Sequence, residues 1–232
     1  MNRAAVCLVP ALLAFCGRAQ GAIIYTSQTR TANAAISFDG SSQFAAAPDF
    51  GPFVTTVTAS AIFPAAGGGT GTNQATAGID CQLDPNRIKL HGTLAGAGGV
   101  SLLASGGTQD ELGDAIVVTN IGFDLDAATP ISLTALERPS GNAADVFKLK
   151  LRKSGNGGGV IFSLDQNSPP QAVDFQSILG AGSYTIEYEA ELTVAGDATS
   201  SPFGFELAVP APGAGAVFAC AGLIAVRRRR AR

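Results

Sequence analysis

The sequence predicts an all-β fold, a single antiparallel β-sandwich or jelly-roll-like domain, on three observations. The middle of the chain is rich in Gly, Ala, Thr and Ser, with many Phe and Val residues and no Trp. Short runs of alternating apolar and polar residues recur, separated by clusters of Gly, Pro, Asp and Asn. No stretch keeps a helical period for long. Alternation between turn signals is typical of a sandwich built from short strands.

The alternating runs divide the chain into predicted strands joined by turns and loops. In order, the predicted strands are 23–27, 34–38, 53–63, 75–81, 87–93, 100–105, 115–126, 131–137, 146–153, 160–164, 173–179, 184–194 and 203–208. A Gly-rich loop is expected at 64–72 and a polar loop at 108–114. We find neither an internal repeat nor a separate second domain.

Two of these runs, 146–153 and 184–194, alternate most clearly and should each be a half-buried strand with one charged outer face, and 115–126 also has its apolar residues on one face. In chain order, the other faces of the three runs carry Asn120, Asp124 and Asp126; Lys148, Lys150 and Arg152; and Glu187, Glu189 and Glu191. Opposite charges stabilise cross-strand pairs. The basic stripe on 146–153 and the acidic stripe on 184–194 therefore predict that these two strands face or neighbour each other in one sheet.

A three-part tail, 209–232, ends the chain. Its proline motif is Val209, Pro210, Ala211, Pro212 and Gly213, and its basic cluster is Arg227, Arg228, Arg229, Arg230 and Arg232. Between them, 214–226 is uncharged, and a helix of that length spans about 20 Å. The hydrocarbon core of a bilayer is about 30 Å thick, which is more than this segment can span as a helix. We therefore expect the segment to contact a membrane but to be only a marginal permanent anchor. Its arginines should stay on the cytoplasmic side.

The first 21 residues have the features of a secretory signal peptide. Arg3 lies in a short positive segment, an apolar stretch follows, and Ala19 and Gly21 suit signal-peptidase cleavage after Gly21. The chain therefore divides into a signal peptide (1–21), a β-sandwich body (22–208) and the tail (209–232). We expect the secretion machinery and signal peptidase as partners.

The tail resembles the PEP-CTERM sorting signal of bacterial surface proteins, in which a proline motif, an apolar helix and an arginine cluster follow one another. Ala211 stands where the namesake motif has glutamate, which makes this a Val-Pro-x-Pro-Gly variant. The resemblance implies processing by exosortase, a membrane enzyme, after transient anchoring in the inner membrane. It also implies delivery to the cell envelope, the surface or an extracellular polysaccharide matrix.

The start of the body also resembles that of many uncharacterised PEP-CTERM proteins. Tyr25, Ser27, Gln28 and Arg30 form a Tyr-x-Ser-Gln-x-Arg opening just after the predicted signal peptide. The similarity supports membership of the group and implies no activity. A first strand with an ordinary polar edge explains the same residues.

The body is acidic, since residues 22–208 hold 18 acidic and eight basic residues and carry a formal charge of −10. That charge disfavours binding to nucleic acid or to anionic lipid. Cys81 is the one cysteine in 22–208, so the body cannot form an internal disulfide. A small buried apolar residue is the expected role of Cys81.

Residues with catalytic or metal-binding chemistry are sparse, and we expect no enzyme and no cofactor. His91 is the only histidine, and no Gly-x-Ser-x-Gly elbow accompanies it. A bound calcium ion is the alternative, because carboxylates, which are calcium ligands, cluster at two places in the sequence. Neither cluster has the spacing of a recognised calcium loop. The candidate ligands are Asp124 with Asp126, and Asp110, Glu111 and Asp114.

Three functions stay open at this stage. The first is a non-enzymatic envelope or matrix protein sorted by its tail and processed by an exosortase. The second is a carbohydrate-binding module with calcium-assisted contacts to matrix polysaccharide, which an exposed aromatic pair beside an acidic loop would favour. The third is a hydrolase, which would need a cleft that joins His91 or two carboxylates to a nucleophile or a water molecule. A permanently tail-anchored surface protein is the alternative if the tail is not processed.

Overall fold

The computed structural model describes residues 21–37, 40–64, 69–97, 99–102, 108–135, 146–155, 158–165, 173–195 and 199–209. These residues form thirteen β-strands. In chain order the strands are β1 (Ile24–Ile36), β2 (Ser42–Ala46), β3 (Phe53–Pro64), β4 (Thr70–Asp84), β5 (Arg87–Ala97), β6 (Gly99–Leu102), β7 (Thr108–Leu125), β8 (Thr129–Ala135), β9 (Val146–Lys153), β10 (Val160–Asp165), β11 (Val173–Leu179), β12 (Gly182–Ala195) and β13 (Thr199–Ala208). Within these ranges no helix is long and apolar enough to cross a membrane.

The strands form two antiparallel sheets. Sheet I has the order β10–β9–β12–β7–β1–β2, and β6 pairs with the first residues of β7. Sheet II has the order β11–β8–β13–β5–β4–β3. The sheets pack face to face, which confirms the predicted all-β sandwich.

The core lies between the sheets and follows the alternation of the strands. In β7, every second residue from Ala115 to Leu125 is buried, as the pattern of 115–126 predicts. Rings from both sheets meet at Tyr188 of β12, whose centroid lies 5.7 Å from that of Phe203 and 5.5 Å from that of Phe205. Burying side chains of this size is a main source of stability in such a fold.

A glycine makes room for one of these rings. Gly92 of β5 is paired with Phe203 of β13, and a Cβ at Gly92 would lie 2.6 Å from the Phe203 ring. The same Cβ would lie 2.0 Å from the backbone oxygen of Gly78. A side chain at position 92 would therefore force neighbouring strands apart.

The first strand differs from the prediction. Instead of two strands at 23–27 and 34–38, β1 is continuous and pairs with β7 along most of its length. A register shift between Tyr25 and Ser27 marks a bulge, and the inward-facing positions change from odd to even numbers across it. The bulge changes the period-two pattern within the first predicted strand, and the mostly polar segment 28–33 that follows gave no apolar alternation to join the two runs.

The other departures involve polar segments. The predicted loop at 108–114 is wrong, because β7 begins at Thr108 and pairs there with β6. β2, which pairs with β1, was not predicted. Four of its five residues are exposed, so its sequence carries little alternation of apolar and polar residues. The Gly-rich loop at 64–72 is shorter than expected, since β3 extends to Pro64 and β4 begins at Thr70.

Candidate functional site

The two ends of the described body lie side by side. The Ile23 N–H donates to the backbone oxygen of Pro85 (2.7 Å), and the Val209 N–H donates to that of Asn86 (2.8 Å). Pro85 and Asn86 form the turn between β4 and β5. The Ile23 and Val209 side chains are both buried. We call this end of the sandwich, defined by Ile23, Pro85, Asn86 and Val209, the terminal pole.

The predicted sorting segments adjoin this pole. Val209 is the last described residue, so Pro210, Ala211, Pro212, Gly213 and the arginine cluster at 227–232 lie outside the described residues, as do residues 1–20. Gly21 is described and buried. A Cβ at Gly21 would lie 2.6 Å from the Thr129 hydroxyl and 2.7 Å from the Asp126 carboxylate, so the backbone approaches the turn before β8 closely.

The Tyr-x-Ser-Gln-x-Arg opening holds parts of both sheets together. The Tyr25 hydroxyl, on sheet I, lies 2.7 Å from the backbone oxygen of Asp84 and 3.0 Å from that of Arg87, on sheet II. Burial is the main reason that the pKa of Tyr25 lies far above its usual value, and the nearby Asp84 carboxylate adds to the rise. The neutral phenol is therefore the form that the fold accommodates.

Arg30 is the most unusual residue of this opening, because its side chain is only 1% exposed. Its guanidinium donates to Gln28 Oε1 (3.1 Å) and to the backbone oxygens of Asp49 and Cys81, and it lies 5.7 Å from the centroid of the Phe53 ring. Among the described residues no carboxylate lies within ion-pair distance of it. Carbonyl dipoles and an aromatic face thus compensate the buried charge.

Cys81 and Gln28 complete this cluster. Burial raises the pKa of the Cys81 thiol, and the neighbouring Arg30 guanidinium opposes that rise. The thiol is buried and free, in agreement with the expected role of a small core residue. Gln28 Nε2 donates to the backbone oxygen of Ala47 (3.1 Å), which ties the segment after β2 to β1.

The charged stripes lie on neighbouring strands, as predicted. In the pairing of β9 with β12, Lys150 is opposite Glu187 and Lys148 is opposite Glu189. Lys148 Nζ lies 3.7 Å from Glu187 and 3.8 Å from Glu189, and Arg152 Nε lies 3.3 Å from Glu187. These side chains are a quarter to two fifths exposed, so the ladder is a solvated face of sheet I.

The calcium candidates are dispersed along β7 and the segment that follows it. Asp124 is paired with Ile24 on one side and Ser183 on the other, and Asp114 is paired with Ala35 and Thr193. Asp110 and Glu111 are in the part of β7 that pairs with β6. Asp126 follows the strand beside Gly21. In the described part of the chain, no three His, Cys, Asp or Glu side chains form a group that could hold a metal ion.

His91 and Cys81 occupy opposite faces of sheet II. His91 Nε2 lies on the outer face, 3.4 Å from the Asp80 carboxylate, and the imidazole is 40% exposed. Cys81 faces the core, paired with Leu90. The two side chains therefore cannot share a metal ion, and His91 has the contacts of a surface residue.

Two features come nearest to a binding surface. The Phe50 ring is 40% exposed and stacks on Tyr25 with the centroids 6.0 Å apart, next to Asp49. Because Tyr25 covers one face of Phe50 and is itself engaged with backbone oxygens, this pair is a poor sugar platform. A shallow groove of about 270 Å³ also lies on sheet II, and its lining residues are Gln74, Thr76, Ala95, Gly96, Ala97, Thr199 and Ser200. Small-molecule sites are usually larger, at about 300–1,000 Å³.

Sequence reasoning missed the turn at the terminal pole. The segment Asp84-Pro85-Asn86-Arg87 had a readable signal, since Pro and Asn are favoured at the central positions of β-turns. That signal predicts a hairpin between β4 and β5 but not which segments its carbonyls bind. Comparison of the chain with known protein families finds no matching family model, and comparison with curated proteins finds no match either.

Proposed function

We propose that this chain is an exported, non-enzymatic protein of the bacterial cell envelope or extracellular matrix. Its tail acts as a PEP-CTERM-like sorting signal, which an exosortase processes after transient insertion in the inner membrane. The observation that carries this proposal is the order of the tail: a proline motif at 209–213, an uncharged run at 214–226 and an arginine cluster at 227–232. The signal-peptide features of 1–21 agree with export.

The position of Val209 supports the proposal. The body's last strand, β13, ends at Ala208, and Val209 is fixed by its hydrogen bond to Asn86. The proline motif therefore begins at the residue that directly follows β13. A processing enzyme that cuts beyond Val209 leaves the sandwich whole, because no strand residue is lost.

The surface of the body suits a passive role. The ladder on β9 and β12 pairs its charges with one another, and His91 and Asp80 make a surface contact. With a formal charge of −10, the body repels acidic polymers unless cations screen it. Retention in an acidic matrix then depends on the ionic conditions of that matrix.

Two variants of the tail test the proposal in a host that has an exosortase. Replacing Pro210 and Pro212 with Ala keeps the uncharged run and the arginines, and full-length protein should then accumulate in the membrane. Neutralising the arginines at 227–230 and Arg232 removes the charge that fixes topology, so retention should fail. Pro202→Ala, at an exposed position of β13, is the matched control and should behave as the unaltered chain does.

One result would contradict processing of the tail. If the proline variant and the unaltered chain both end at Arg232, the motif is not a processing signal. The chain is then a permanently tail-anchored surface protein.

A further inference from the structure

The terminal pole fixes both ends of the body to one turn. Ile23 and Val209 donate to the carbonyl oxygens of two consecutive residues, Pro85 and Asn86. Both residues are at least 95% buried, so both ends of the body are packed into the sandwich, whereas chain ends are usually poorly ordered. The signal peptide and the tail therefore leave the body from the same place.

The tail has little length to move away from this pole. Four residues, 210–213, separate Val209 from the uncharged run. A fully extended chain spans at most about 3.6 Å per residue, so Val209 and Ala214 are no more than about 18 Å apart. Pro210 and Pro212 favour an extended backbone and oppose a helix that continues into the body.

We propose that the terminal pole faces the lipid bilayer while the tail is inserted in it, with the turn between β4 and β5 nearest the lipid. This orientation rests on the proposed membrane role of the tail. The short connection, residues 210–213, keeps the terminal pole close to the bilayer. A basic patch on the body is therefore not needed to attract it to the lipid. Asp84 is paired with Arg87 at this pole and Asp126 lies beside Gly21, so these charges give the pole no net positive charge to attract an anionic bilayer.

The opposite end of the sandwich is then far from the lipid. β4 runs for 15 residues from Thr70 to Asp84. At about 3.3 Å per residue, its ends are roughly 45 Å apart. A probe whose signal depends on proximity to lipid headgroups can therefore distinguish the two ends.

The experiment places a fluorophore at either end of the chain's sandwich. The full chain is expressed with its signal peptide and recovered from membranes. Cys7, Cys16 and Cys220 are replaced by Ser, whereas the buried Cys81 is kept. A single exposed cysteine is introduced by Asn86→Cys at the terminal pole or Thr70→Cys at the other end. The labelled proteins are reconstituted in phosphatidylcholine vesicles that contain a headgroup quencher.

We expect at least a twofold stronger quenching at position 86 than at position 70. Ala128→Cys, a second exposed position beside the terminal pole, should behave as position 86 does and guards against a local effect of the turn. Protein that floats with the vesicles but is quenched equally at 70 and 86 contradicts the orientation alone. Protein that does not float with vesicles contradicts the orientation and the membrane role of the tail together.

Discussion

At the residue scale, the polar opening of the body has an internal role. Tyr25, Gln28 and Arg30 are spread along one strand, yet their polar atoms reach carbonyl oxygens on β4, on β5 and in the segment between β2 and β3. These bonds give partners to the polar groups of the three side chains, and a buried polar group without a partner is costly. Three of the four residues that mark the resemblance at the start of the body are therefore explained by folding.

Replacing Arg30 with Met should lower the free energy of unfolding by about 2–4 kcal/mol. The substitution removes the guanidinium that donates to the Asp49 and Cys81 carbonyls, and a hydrogen bond from a charged group contributes roughly 1.5–3 kcal/mol. Urea denaturation of both proteins measures the difference. Arg87→Met is the control, since its 3.0 Å ion pair with Asp84 is about two fifths exposed and should contribute less than about 1 kcal/mol. Equal losses in both variants would contradict a special role for Arg30.

Stability should fall at alkaline pH because of buried tyrosines. Burial raises the pKa of Tyr188 well above its usual value, and burial together with Asp84 raises that of Tyr25. The stabilisation is complete below the unfolded pKa of about 10 and is lost as pH rises toward the folded pKa, by up to about 1.4 kcal/mol per pH unit and tyrosine. Thermal melts between pH 8 and 11 measure this loss.

Tyr188→Phe separates this effect from packing. The Tyr188 hydroxyl is buried and has no hydrogen-bond partner among the described residues, so stability at pH 8 should be nearly unchanged or higher. The loss between pH 10 and 11 should become smaller. An unchanged alkaline loss in this variant would show that Tyr188 does not contribute to it.

At the scale of elements, the two charged strands explain how β9 finds its place in sheet I. The register that puts Lys150 opposite Glu187 also turns Phe147, Leu149 and Leu151 toward the core. A one-residue slip would bury the charges and expose the apolar side chains. The apolar alternation of β9 and its charge pairing with β12 thus favour the same register.

Reversing one charge of this ladder should be destabilising. Glu187→Lys places a fourth cation beside Lys148, Lys150 and Arg152, and we expect a loss of about 1 kcal/mol that becomes smaller at high salt. Asp174→Lys is the matched control, because Asp174 is exposed on the edge strand β11 and makes its contact with Gln176. Chemical denaturation at low and high salt compares the two. A loss no greater than that of the control would mean that the ladder adds nothing.

The sequence predicted elements well wherever alternation is regular. The bounds of β9 and β11 match the prediction, and the faces of β7 and β12 were assigned correctly. Prediction failed at the bulge of β1, at the exposed β2 and at the polar start of β7, where side chains give no period-two signal. The contacts of Arg30 could not be foreseen, because they join segments about 19 and 51 residues apart.

At the scale of the whole molecule, the body is one sandwich whose two ends meet. The tail motif stays a prediction from sequence, and its parts are contiguous along the chain. The meeting of Ile23 and Val209 at the turn after β4 could not be read from sequence, because hydrogen bonds to backbone oxygens leave no trace in side-chain pattern. Gly21, which precedes the expected signal-peptidase cut, is buried in the fold. Cleavage there should therefore precede docking of β1.

The body should fold without a metal ion. The carboxylates of Asp114, Asp124 and Asp126 are distributed along β7 and beyond it, so we expect a chelator to leave the melting temperature of the purified body unchanged. Differential scanning calorimetry with chelator, and then with excess calcium, makes the comparison. A drop of several degrees on chelation would favour the calcium-assisted alternative, since an ion bound to the native state must add stability.

The measurement that tests the sorting account most directly is mass spectrometry of both termini of the protein recovered from its native cells. The account predicts a mature chain that begins at Ala22 and ends beyond Val209 but before the arginine cluster at 227–232. A chain that still ends at Arg232 would contradict processing of the tail.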